Sequence, residues 1–160
     1  AVNLVVRRRF GPGATIALNA HGDVVPPGEG WTTDPYGAAI KDGWMYGRGV
    51  AVSKSDFATY AFALKALEAA GQARGTVELH FTYDEEAGGA IGPQWLIESG
   101  ISKPDFALSA AFSYAVVTAH NGVLHLEVTV RGRSAHAAKP ETGHDALEAA
   151  SRVLTALYAL

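Results

Sequence analysis

Thr76-Val77-Glu78-Leu79-His80-Phe81-Thr82-Tyr83 runs straight into Asp84-Glu85-Glu86-Ala87-Gly88-Gly89, and this stretch decides the fold. Its apolar residues alternate with polar ones as in a half-buried strand, and two glycines then let the backbone turn sharply. Three consecutive acids therefore sit at a strand's C-terminal end. In an open α/β sheet that edge is where ligands bind, which favours a site; the alternative is a charged surface turn.

A second stretch upstream tips the balance. Leu18-Asn19-Ala20-His21-Gly22-Asp23 ends another apolar run with a candidate metal ligand and a carboxylate two residues on. On extended chain these two side chains point the same way, and a carboxylate beside a ligating imidazole fixes its tautomer and orientation. Taken alone, a histidine at a strand end reads equally as a structural residue. With Glu85 and Glu86 the pattern sharpens, because adjacent glutamates can divide the work, one binding a metal and the other acting as base on metal-bound water.

The rest of the chain reads as alternating elements around these two ends. Residues 3–10 and 14–20 are strand-like runs joined by Gly11-Pro12-Gly13, a turn signal that predicts neighbouring strands in a hairpin. Residues 24–49 read as a long loop walling a cleft, with Trp31, Tyr36, Trp44 and Tyr46 supplying apolar surface to pack it down. Ser53 to Ala70 is the clearest helix: Phe57, Tyr60, Ala61, Leu64 and Leu67 recur at helical spacing, Ser53 or Ser55 is the expected cap, and Gly71 the stop. A helical piece over 93–98 and a short strand at 105–108 follow the central strand. The order β-β-α-β-α-β predicts an α/β fold with a mixed sheet and flanking helices.

Beyond residue 118 the pattern changes. Leu124, Leu126, Val128 and Val130 alternate with His125, Glu127, Thr129 and Arg131, predicting a strand with one dry and one wet face. A loop over 132–143 leads to a helix from His144, with Leu147, Ala150, Val153, Leu154 and Leu157 as its apolar stripe. These elements place one unit over 1–118 and the beginning of a second over 119–160. The chain opens on a strand and stops within a helix, which predicts a piece of a longer protein.

Composition excludes several classes. The 160 residues are 48% hydrophobic and 18% charged, too apolar for a disordered chain. A net charge of −3, with basic residues scattered apart from Arg7-Arg8-Arg9, offers no face for nucleic acid and no polybasic membrane anchor. The arginine triplet reads as a solvated strand edge. There are no cysteines, so disulfides, thiolate zinc sites and cysteine nucleophiles are excluded, and any metal is held by His, Asp and Glu. With neither a signal peptide nor a run long enough to span a bilayer, the expected location is the cytoplasm.

Four stretches together resemble the zinc amidohydrolases that include acetylornithine deacetylase, succinyl-diaminopimelate desuccinylase, aminoacylase and glutamate carboxypeptidase. They are Leu18 to Pro26, Tyr46-Gly47-Arg48-Gly49, Asp84 to Gly89, and Val130-Arg131-Gly132-Arg133-Ser134-Ala135-His136. The resemblance implies a catalytic domain carrying one or two zinc ions, interrupted by a smaller α/β lid domain through which such enzymes often form homodimers. His21 resembles a zinc ligand, Asp23 its orienting carboxylate, Glu85 the general base and Glu86 a ligand of the other zinc. His136 resembles a lid histidine that polarises the substrate carbonyl. The implied reaction is hydrolysis of an amide in a small N-acyl amino acid or peptide, with Glu85 as general base on metal-bound water. His80, His120, His125 and His144 read as structural or solvated.

The sequence also departs from that pattern. Where the family places an aspartate bridging two zincs stands Val52, with Asp56 one helical turn further on as a candidate substitute; where it offers a further carboxylate stands Ala111. A last histidine ligand falls outside this sequence. Two other readings therefore stand beside the hydrolase: a member that has lost catalysis and keeps its cleft for binding a small molecule or a protein, and a structural or dimerisation module.

Overall fold

The computed structural model of the chain describes residues 3–110 and 115–160, so Ala111 lies outside the described residues. Two compact units emerge, Ala1–Ala115 and Val116–Leu160.

The first unit is an α/β fold. Its four-stranded mixed sheet comprises β1 (Leu4–Arg9), β2 (Thr15–His21), β5 (Thr76–Thr82) and β6 (Phe106–Ser109), in the spatial order β1-β5-β2-β6. The sheet is mixed, but not through a hairpin of the first two strands. β5 lies between β1 and β2, antiparallel to the first and parallel to the second. The reason is visible at Gly11-Pro12-Gly13, which wraps around the start of β5: Phe10 N–H donates to the Gly75 carbonyl at 2.8 Å, and Gly75 N–H to the Pro12 carbonyl at 3.2 Å. The turn thus opens a gap for β5, the most buried of the strands.

Alternation on β5 serves two different layers. Phe81 stacks on Phe57 of α1 (Lys54–Ala70), ring centroids 4.3 Å apart, while Leu79 and Leu64 are buried. The other face carries Glu78, His80 and Thr82, all buried although polar. Glu78 accepts from Arg7 Nε (2.6 Å), Ser102 Oγ (2.5 Å) and His80 Nε2 (2.9 Å). Because a carboxylate accepts only, His80 Nε2 carries the proton. Burial disfavours the charge on Glu78, yet these three hydrogen bonds and the Arg7 charge outweigh it and hold the carboxyl below its usual range. Arg7 and Arg8 on the edge strand β1 are therefore engaged rather than merely solvated, Arg8 by Glu68 at 2.6 Å.

The stretch 24–49 contains a hairpin, β3 (Ala39–Lys41) and β4 (Trp44–Tyr46). Asp42 (φ +53°) and Gly43 (φ +81°) form its turn, as an Asp-Gly pair favours. Its aromatic residues pack down only in part: Trp44 is 71% exposed, while Trp31 lies against the Arg48 guanidinium and its Nε1 donates to the Pro27 carbonyl at 2.9 Å. α1 begins after Ser53, but neither expected serine caps it; the Ser53 side chain makes no capping bond and Ser55 Oγ donates back to the Ala51 carbonyl. A broken turn over 90–94 leads into the one-turn helix α2 (Trp95–Glu98), whose Leu96 is buried. No helix of the described residues is long and apolar enough to cross a membrane.

In the second unit, the expected strand over 123–131 does not form. Alternating polarity marks two faces, but a strand persists only beside a paired neighbour, and among the described residues the pairing is limited to an isolated bridge between Arg133 and His144. The final helix, α3, spans Ala146–Leu157; the Asp145 side chain caps it by accepting from the amides of Leu147 (2.8 Å) and Glu148 (3.2 Å). Its apolar stripe is largely open to solvent, with Leu147 78% exposed.

Candidate functional site

β2 and β5 are parallel neighbours, so they deliver their C-terminal ends to one edge of the sheet, with His21 directly beside Thr82. The chains leaving those ends stay close. Gly22 N–H donates to the Thr82 carbonyl at 2.9 Å, and a Cβ on Gly22 would collide with the Tyr83 ring. Any larger residue at 22 would have to push the Tyr83 ring aside.

After β5 the backbone reverses at Asp84, whose φ of +88° is unusual for a residue with a side chain. The Asp84 carboxylate accepts from the amides of Ile91 (2.8 Å) and Gly92 (3.0 Å), and its carbonyl from those of Ala87 and Gly89. Asp84 therefore builds the turn, and the next two acids are left for chemistry. His21, Glu85 and Glu86 each offer a ligand atom, and these atoms lie within 4.8 Å of one another.

The tautomer of His21 follows from its contacts. Its Nδ1 lies 3.0 Å from the backbone carbonyl of Asp23, an acceptor, so Nδ1 carries a hydrogen, and in the neutral imidazole Nε2 is the nitrogen with the free lone pair. That lone pair faces Glu85, whose Oε2 is 3.7 Å away and whose side chain is 53% exposed. The Asp23 carboxylate does two things. Oδ1 lies 3.4 Å from His21 Nδ1, buried and without a hydrogen-bond partner, while Oδ2 accepts the Glu86 amide at 3.0 Å. Burial opposes the charge on Asp23, but the amides of Glu86, Asp23 itself and Glu85, then the His21 ring, overcome it and keep the carboxyl below its usual range. The group orienting the imidazole is thus the Asp23 carbonyl, and the carboxylate ties the two strand exits together.

These side chains open onto a cavity of about 250 Å³. The remainder of its wall is Asn19, Ala20, Val52, Ser53, Ser109 and Ala110, none of them anionic. The His21 imidazole nitrogen and the Glu86 carboxylate are ligands of the kind a divalent cation takes, and Glu85 stands beside them on the same space. The charge of Asp23 behind the ring supports the same fit. Val52 faces this cavity as a neutral wall, and the described wall provides no carboxylate for a second ion. Asp56 does not take its place: its Oδ2 accepts from Ser53 Oγ at 3.4 Å, and it stands outside the His21 cluster.

His136 belongs to the second unit, exposed, where its Nδ1 accepts from the Ala138 amide at 3.2 Å. Sequence reasoning missed Ser53, which is 1% exposed and accepts the His21 amide at 3.2 Å. It also missed Asp84 as the turn builder, for which the following Gly88-Gly89 pair was the available signal.

Residues 17–159 match the family described as peptidase family M20/M25/M40. Among similar proteins, the succinyl-diaminopimelate desuccinylase of Sulfurimonas denitrificans is 36% identical over 148 residues, covering 87% of this chain and 40% of that protein. That of Nautilia profundicola is 33% identical over 161 aligned positions, covering 95% of this chain and 43% of the relative. The enzyme of the same name from Acidiphilium cryptum is 36% identical, covering 99% and 43% respectively. The chain therefore spans about two-fifths of the length of the relatives it matches.

Proposed function

The chain belongs to peptidase family M20/M25/M40, and from that premise we propose that the intact protein is a metal-dependent hydrolase cleaving the amide bond of a small N-acyl amino acid. The observation that carries this reading is the convergence of His21, Glu85 and Glu86 within 4.8 Å at the C-terminal edge of parallel strands. His21 and Glu86 would hold the cation, zinc in the first instance. When bound, that ion supplies a Lewis acid and lowers the pKa of water to about 7.

The protein's own residues do the rest. Glu85 is half exposed and reaches across to the His21 side of the cavity, so its carboxylate is placed to take a proton from the attacking water. Asp23 keeps the His21 ring in the tautomer that leaves Nε2 free and pins the Glu86 amide. The family resemblance gives His136 the contact to the substrate carbonyl, and gives the second unit the homodimer surface. N-succinyl amino acids are the first substrates to assay, because the relatives are named for removing that group.

Val52 favours a second reading. A neutral side chain on the cavity wall suits a member that has lost catalysis and keeps the cleft for binding a small molecule or a protein. Zinc content measured together with turnover on a panel of N-acyl amino acids separates the two. Metal binding with turnover supports the hydrolase; absence of both at high protein concentration overturns it.

A further inference from the structure

Resting on the reading of His21 as a metal ligand, the geometry points to Ser53 as a positioning residue that fixes the His21 backbone and, through it, the direction of the Nε2 lone pair. Gly22 N–H donates toward β5, to the Thr82 carbonyl. Successive amides of a strand point to opposite neighbours, so the His21 N–H points the other way, toward β6. There the ladder has already run out. The last paired residue of β6 is Ser109, opposite Asn19, and the Ala110 amide takes the Asn19 carbonyl. At the place where a strand carbonyl would stand, Ser53 Oγ accepts the His21 amide at 3.2 Å.

Three further observations make this more than a chance contact. Ser53 is 1% exposed, so its hydroxyl is sheltered from solvent. It occupies the cap position of α1, yet its side chain makes no capping bond; the hydroxyl is committed to His21 and to Asp56 Oδ2, 3.4 Å away. It also lines the same cavity as His21, Glu85 and Glu86. A buried hydroxyl that accepts from the backbone of a ligand holds that ligand's strand end in one place, and such outer contacts tune metal affinity.

The test is zinc affinity, measured by chelator competition in the intact protein for wild type, Ser53→Ala and Ser53→Thr, with each sample's fold checked by circular dichroism. Ser53→Ala is expected to weaken zinc binding about tenfold, and Ser53→Thr, which keeps the hydroxyl, to stay near wild type. A purely structural serine would lower thermal stability without moving the affinity of the folded protein. Equal affinity in Ser53→Ala overturns the proposal and leaves the His21 reading intact. Wild-type protein that takes up no zinc, or that keeps its affinity in His21→Ala, overturns both. If Ser53→Ala does not fold, hydrogen exchange of the wild-type His21 amide decides: protection comparable to Ala20 is expected, and exchange at the free-chain rate overturns the assignment.

Discussion

Replacing Glu78 by Gln removes one buried negative charge from a site where three donors converge. Arg7 Nε, Ser102 Oγ and His80 Nε2 all donate to this carboxylate, whose side chain is 4% exposed. A hydrogen bond to a charged group contributes about 1 kcal/mol more than a neutral one. Arg7 is 50% exposed and recovers hydration when its partner is neutral, so its share is the smallest, and the three together come to about 2–3 kcal/mol. The sign with pH follows from the lowered carboxyl of Glu78. Its charge stabilises the fold fully above the ordinary value of 4.5, and that contribution is lost as pH falls through the lower folded value. Urea unfolding of wild type and Glu78→Gln therefore shows a gap of about 2–3 kcal/mol at pH 7 that closes on acidification below 4.5. Coincident midpoints at pH 7, or a gap that stays constant down to strong acid, would refute the reasoning.

Two further outcomes test the site's construction. Gly22→Ala pushes the exposed Tyr83 ring aside, so it should cost less than about 1 kcal/mol in urea unfolding and leave zinc affinity near wild type; a several-fold loss of affinity would show that the ring braces the strand exits. Val52→Asp adds a carboxylate to the cavity wall; zinc per chain, read by elemental analysis, should rise, and unchanged stoichiometry and affinity would mean that this position does not face the ion.

How much of this was legible in the sequence depends on how far apart the partners lie. The convergence of His21 with Glu85 and Glu86 was readable, because both runs end in acids or a histidine and parallel neighbours bring their ends together. α1 was readable from its own periodicity, and Gly71 does stop it, its amide reaching the Glu68 carbonyl. The strand order was not. Gly11-Pro12-Gly13 carries a good local turn signal, and only its contact with Gly75, far along the chain, shows that β5 enters the gap. Ser53 reads as a cap because capping is a local preference, whereas its partner His21 is 32 residues away. Glu78 looked like an ordinary polar residue of an alternating strand; Arg7 and Ser102, 71 and 24 residues distant, make it a buried anchor. The 123–131 stretch failed for the opposite reason, since alternation reports faces but cannot supply a neighbouring strand.

The most direct test of the account is to measure zinc content and turnover of N-succinyl amino acids side by side in wild type and Glu85→Gln. Losing a general base while keeping the ligands predicts zinc content near wild type and turnover lower by about 10²–10⁴-fold. Turnover at the wild-type rate in Glu85→Gln would contradict the central claim that this carboxylate, at the end of β5, takes the proton.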